Sequence, residues 1–286
     1  IAMHRNLPIE LRVKAAHMAT KSDMLATNDY RTLFLDMLSE PEFVPTTPLE
    51  SALFAARDPL VTDEDRSFAL AAALQEATDT PAHFDAVARL LWPEIARLPI
   101  NSSTAASAAV FARASLAAGE LETAQKWADA NTMEGAPEDG SFDSAFMSAL
   151  LILAGLDASR SEIAYAGVRL AAQAETDAQK RSAVRLFALW TAMGIAPPAD
   201  ARRMVVEAPD SDTSAAITPH LLRILGAAEA DAAGEVILST VGMTKGDPTA
   251  LDNASLVLLL NALERIGAED AAREMALEAA GYWKAS

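Results

Sequence analysis

Residues 115–130 read SLAAGELETAQKWADA: an apolar run, a glycine, then a second alanine-rich run that carries one tryptophan. This is the signature of a helical hairpin. The first helix ends at Gly119 in the left-handed conformation that glycine adopts at little cost, and a second helix starts near residue 121. Five positions after the glycine, Ala124 lets the second helix approach the first, and Trp127 fills the space between one pair and the next. The punctuation recurs. LILAG ends at Gly155, WTAMG at Gly194, LRILG at Gly226 and LERIG at Gly267, giving intervals of 36, 39, 32 and 41.

The mean interval of 37 lies between the 34-residue tetratricopeptide unit and the longer HEAT-like unit. After Gly267 the small positions return as Ala272, Ala276 and Ala279, with Met275 where Trp127 stood. At Gly155 and Gly226 the place of Ala124 is taken by Arg160 and Asp231, so the repeat is degenerate. The expected fold is all-α: a right-handed α-solenoid of antiparallel helix pairs, tetratricopeptide-like.

Composition and breakers point the same way. Of 286 residues, 63 are alanine, the best helix former, and few windows show the two-residue period of a half-buried strand. Thr47-Pro48, Thr80-Pro81, Thr218-Pro219 and Asp247-Pro248 each set a capping side chain before a proline. Thr47 with Glu50, and Ser159 with Glu162, form capping boxes. Helices are expected at about 8–20, 23–39, 48–57, 63–78, 81–97, 103–118, 121–131, 142–154, 160–174, 177–193, 198–208, 213–225, 228–241, 252–266 and 269–280. The polar stretch NTMEGAPEDGSFD at 131–143 is the expected hinge between an amino-terminal helical array, 1–134, and a carboxy-terminal repeat array, 135–286, unless the two form one continuous solenoid.

The net charge of −17 argues against a nucleic-acid partner, whose phosphates need clustered Lys and Arg. Residues 32–143 hold 19 acids against 6 bases, a solubilising surface first and an attraction for a basic partner second. SALLILAGL and SLVLLLNAL, the longest apolar runs, fall short of the roughly 18 residues of a membrane span. Without cysteine there is no disulfide, thiolate metal site or cysteine nucleophile. Starting at Ile1 rather than Met is expected of a piece of a longer chain, so a missing export signal carries no weight.

Signals for chemistry are weak. His4, His17, His83 and His220 have no metal-ligand spacing, and a structural or solvated role is expected for each. GMTKGDP at 242–248 lacks the ending of a phosphate loop, and PEDGSFD at 137–143 lacks the alternating acids and closing glutamate of a calcium loop. The Glu50-Ser51 pair in PLESALF is similar to the catalytic Glu-Ser of soluble lytic transglycosylases, which also carry an α-superhelix. That resemblance would make Glu50 a general acid, which needs a buried or cleft-lining carboxyl. The Gly-Met-Gln segment of that family is absent, and Glu50 already belongs to the Thr47 box. Trp92, Trp127, Trp190 and Trp283 are expected to fill space between helices rather than form a ligand platform.

Four segments carry a further resemblance: NLPIELRVKAAHMA, FARASLAAGELETAQKWADA, RLFALWTAMGIAPP and LVLLLNALERIGAEDAAREMALEAA. Together they resemble a group of uncharacterised alphaproteobacterial alanine-rich helical-repeat proteins, some labelled "antifreeze glycopeptide". The label does not fit, because ice binding needs a flat threonine face and the threonines here are mostly caps. The resemblance implies an exported, periplasmic protein without catalytic residues, metal or cofactor. The function expected is a non-enzymatic scaffold that binds a protein or peptide. A cell-wall or glycan-processing accessory or enzyme, and a structural self-assembling component, are the alternatives.

Overall fold

The structure, a computed structural model, describes residues 7–21, 27–38, 44–133, 141–207 and 219–284, and among them all regular structure is helical. The chain divides into two compact units, Ile1–Gly140 and Ser141–Ser286.

The first unit holds α1 (Ile9–Lys21), α2 (Thr27–Leu38), α3 (Pro48–Ala55), α4 (Asp63–Glu76), α5 (Pro81–Ile95), a 3-10 turn (Ala105–Ser107), α6 (Ala108–Ala117) and α7 (Leu121–Ala130). Several starts are chemically marked. The Thr47 hydroxyl accepts the Glu50 N–H at 3.2 Å while the Glu50 carboxylate accepts the Thr47 N–H at 3.1 Å, the full capping box of α3. Thr80 caps α5 through the His83 N–H, and Thr62, which no proline advertises, caps α4 through the Asp65 N–H. α1 and α2 pack together and against α5; α3 pairs with α4, α4 and α5 with α6, and α6 with α7. Tyr30, Phe34, Leu70, Phe84, Phe111 and Trp127 are fully buried between them. One ionic clamp crosses this core. Buried Glu94 of α5 accepts from Arg31 of α2 and, at 3.0 Å, from Arg97, and a second Arg31 nitrogen reaches the Leu90 carbonyl at 3.0 Å. Pairing on both oxygens is what makes a carboxylate tolerable there.

The second unit holds α8 (Ser141–Leu153), α9 (Arg160–Gln173), α10 (Asp177–Ala192), α11 (Ala199–Glu207), α12 (Pro219–Glu229), α13 (Ala233–Thr244), α14 (Asn253–Arg265) and α15 (Glu269–Ala280). Consecutive helices pair as α8 with α9, α10 with α11, α12 with α13 and α14 with α15. The pairs do not stack in chain order. α10 lies against α8 and α14, α14 against α12, and α15 returns to α8 and α10. The last pair of the chain is thus lodged beside the second, with the third beyond it.

Five hairpin junctions share one geometry. At the first, the Gly119 N–H donates to the Leu116 carbonyl at 3.0 Å and the Glu120 N–H to the Ser115 carbonyl at 2.9 Å, which is the Schellman closure. The same pair of bonds closes α8, α10, α12 and α14. Gly226 is not one of the junctions: it lies inside α12, which runs on to Glu229, and Asp231 takes the left-handed position with φ 52°. Aspartate is among the few residues that tolerate that region. The junctions therefore fall at 119, 155, 194, 231 and 267, at intervals of 36, 39, 37 and 36, more even than the glycines suggest. Where the second helix restarts two residues later, the fifth position after the junction is Ala124, Val236 or Ala272, each fully buried.

Asp247-Pro248 also differs from expectation, starting a 3-10 turn (Pro248–Ala250) rather than an α-helix. The cap of α14 is Asp252, whose carboxylate accepts the Ser255 N–H at 2.9 Å and the Ser255 hydroxyl at 2.6 Å. Burial pushes this carboxyl up, but the bonds from Ser255 and from nearby backbone N–H groups outweigh it and hold it below the usual aspartate range. A carboxyl lowered on folding stabilises above the unfolded value of about 3.9 and loses that contribution as pH falls through the folded value. Asp252→Ala is expected to cost about 1 kcal/mol at neutral pH and to lessen the loss of stability below about pH 4. Urea melts of both proteins at a series of pH values measure this; parallel curves down to the most acidic point would contradict it.

Candidate functional site

In the second unit, α9, α10 and α11 build a groove. α9 starts under the Ser159–Glu162 box, in which the Ser159 N–H donates to the Glu162 carboxylate at 2.7 Å; hydrogen bonds from Ser159 hold that carboxyl below its ordinary value. α10 starts under a third capping box, Thr176 with Gln179. Halfway along α9, Gly167 faces Pro198 in the α10–α11 connection so closely that an added Cβ would lie 2.6 Å from the proline Cδ. Bare backbone at this point seats α11 beside α9.

Between these helices runs a groove of about 420 Å³. Apolar Val168, Ala171, Ala172 and Met204 and charged Lys180, Asp200, Arg203 and Glu207 line it. Arg203 donates to Asp200 at 3.0 Å, whereas Lys180 makes no ion pair among the described residues. Tyr165 and Val206, on the same two helices, are 69% and 85% exposed. The described lining thus combines apolar side chains with charges of both signs.

A smaller cleft of about 230 Å³ is lined by Phe146, Ser182, Arg185, Thr249, Gly281 and Lys284. Its arginine is committed to structure. An Nη2 donor of Arg185 meets the Pro248 carbonyl at 3.0 Å and the Leu251 carbonyl at 2.8 Å, fixing the 3-10 turn to α10. Burial lowers the pKa of this guanidinium, and Asp247 and Asp252 oppose the shift.

The residues singled out by sequence are scattered. Glu50 is buried, but one carboxylate oxygen accepts the Thr46 N–H at 2.6 Å, the Thr46 hydroxyl at 2.8 Å and the Thr47 N–H at 3.1 Å. Three donors on that oxygen hold it to the start of α3, and neither cleft includes it. His83 is buried with its Nδ1 2.5 Å from Asp79, and His220 is exposed in the first turn of α12. His4 and the side chain of His17 lie outside the described residues, as do residues 137–140 of PEDGSFD, whose last three residues open α8. GMTKGDP spans the end of α13 and the turn before α14. Among the described residues no group of three His, Cys, Asp or Glu is placed to hold a metal ion. None of their helices is long and apolar enough to cross a membrane.

Trp127, Trp190 and Trp283 are buried and Trp92 half-buried. Trp127 stands edge-on to Phe111 at 5.0 Å, and Trp190 donates its indole N–H to the Ala149 carbonyl at 3.1 Å. The groove residues Val168, Lys180 and Met204 went unmarked in the sequence. A signal does exist in Met204-Val205-Val206, three consecutive apolar residues that a short helix cannot all bury. No family model, no curated protein and no solved structure matches this chain.

Proposed function

We propose that the protein is a non-enzymatic scaffold that binds a protein or peptide on its helix pairs, which form a degenerate tetratricopeptide-like array. The observation that supports this reading is the α9–α11 groove, where apolar side chains lie open beside a lysine that makes no ion pair among the described residues. The matching ligand is an amphipathic peptide segment whose apolar side chains cover Val168 and Met204 and whose carboxylate meets Lys180. The net charge of −17 argues against nucleic acid as the partner. An exported, periplasmic setting belongs to the same reading and rests on the resemblance of the alanine-rich segments.

The test is selection of a displayed random-peptide library on the immobilised full chain, with Met204→Glu as the counter-target. Peptides rich in apolar residues with at least one acid are expected. Their affinity, read by fluorescence anisotropy, should fall about tenfold or more on Met204→Glu and on Lys180→Glu, with circular dichroism unchanged. Peptides that bind all three proteins equally, or no enrichment at all, would remove the groove as the binding surface.

A further inference from the structure

α13 is folded inside out. The face it turns to α12 and α14 carries Val236, Ser239, Thr240 and Thr244, all buried, and the hydroxyls of Ser239 and Thr240 have no hydrogen-bond partner. Its outer face carries Ile237, Leu238 and Val241, which are 47%, 74% and 61% exposed. Rotating the helix half a turn about its axis would bury three branched apolar side chains and return the hydroxyls to water. The isolated unit therefore gives no reason for this orientation. Two glycines lie on the same outer face. Gly234 and Gly242 sit inside the helix, exposed, with nothing within 4 Å of an added Cβ. Glycine weakens a helix relative to the alanine this chain uses so freely, and nothing among the described residues requires it at either place.

We propose that this face is the interface of a two-fold dimer, occupied by α13 of a second copy running antiparallel. A single register satisfies shape and charge together. With Leu238 level with Gly242 of the second copy, the two-fold axis sets the second copy's Leu238 level with Gly242 of the first, and each leucine enters the gap left by a glycine. The same register brings Glu235 level with Lys245 of the second copy at both ends of the contact. Lys245 is exposed and makes no ion pair among the described residues. Glu235 accepts from Arg223 at 2.7 Å through one oxygen and keeps the other for the lysine. Residues 233–245 hold one acid and one base in a chain of net charge −17, so two copies meet at a segment that is itself neutral.

Sedimentation equilibrium of the full chain tests the proposal. The unaltered protein is expected to be a dimer at micromolar concentration. Leu238→Glu should raise the dissociation constant at least about a hundredfold with helicity unchanged, and should remove the concentration dependence of melting that the dimer shows. Glu235→Lys alone and Lys245→Glu alone should each weaken association about tenfold, since one substitution creates two like-charge contacts across the axis. The double variant should recover most of the loss, because reversing both charges restores both pairs across the axis while the reversed charge at position 235 faces Arg223 of its own copy. An unaltered protein that stays monomeric, a Leu238→Glu variant that still dimerises, or a double variant that fails to recover would each overturn the antiparallel α13 dimer.

Discussion

Trp190→Ala is expected to destabilise the second unit by about 3–5 kcal/mol, read from denaturant melts followed by circular dichroism. The side chain is fully buried on α10, edge-on to Phe187 with ring centroids 5.8 Å apart. Its indole N–H also satisfies the Ala149 carbonyl of α8. Truncation removes all three contributions at once: the apolar area, the packing against a close-fitted wall, and the hydrogen bond that ties two helices. Trp190→Phe separates them. It keeps most of the volume and loses the bond, so a smaller loss of about 1–2 kcal/mol is expected. An alanine variant within about 1 kcal/mol of the original protein would mean that this core does not close around the indole.

Gly167→Leu carries the second large effect, a loss of about 3 kcal/mol from overpacking. Helix propensity alone favours replacing a helical glycine with a larger residue by up to about 1 kcal/mol, so the sign is decided by space. Here the first carbon of any side chain meets the Pro198 ring at 2.6 Å and 2.7 Å, with Trp190 behind it at 3.4 Å. A proline ring cannot swing aside as the tip of a lysine can, so the connection into α11 must move. Selected peptides should lose affinity along with stability, because Met204 and Arg203 ride on that helix. Gly226→Ala is the control: it lies in α12 with open space around it and is expected to gain stability from propensity alone. If both substitutions stabilise, the close approach at Gly167 is absent.

Much of the fold was legible because helix ends are written in local chemistry. Thr47, Thr80 and Ser159 cap α3, α5 and α9 where the sequence predicts helix starts, and the glycines at 119, 155, 194 and 267 close α6, α8, α10 and α14. The misreading at Gly226 has a clear physical source. A glycine after an apolar run signals a left-handed residue, whereas α12 passes through Gly226 and the turn is made by Asp231, a residue with many other uses. Both expected boundaries of α13 shifted as a result. The order of packing was not legible, since nothing local to α14 says that it will lie against both α10 and α12. The groove was hidden for the same reason: whether Val168 and Met204 are core or surface depends on what settles beside them.

The placement of α14 also bears on how the molecule comes into being. A linear array can fold pair by pair as it is synthesised, each new pair settling on a finished neighbour. In the second unit, Arg185 waits for backbone carbonyls 63 and 66 residues downstream, and α8 and α10 wait for α15. Long loops must close before these contacts reward the chain, which slows folding and makes it all-or-none. The second unit is therefore expected to fold as one step, only after α14 and α15 have been synthesised, rather than pair by pair as its first helices emerge.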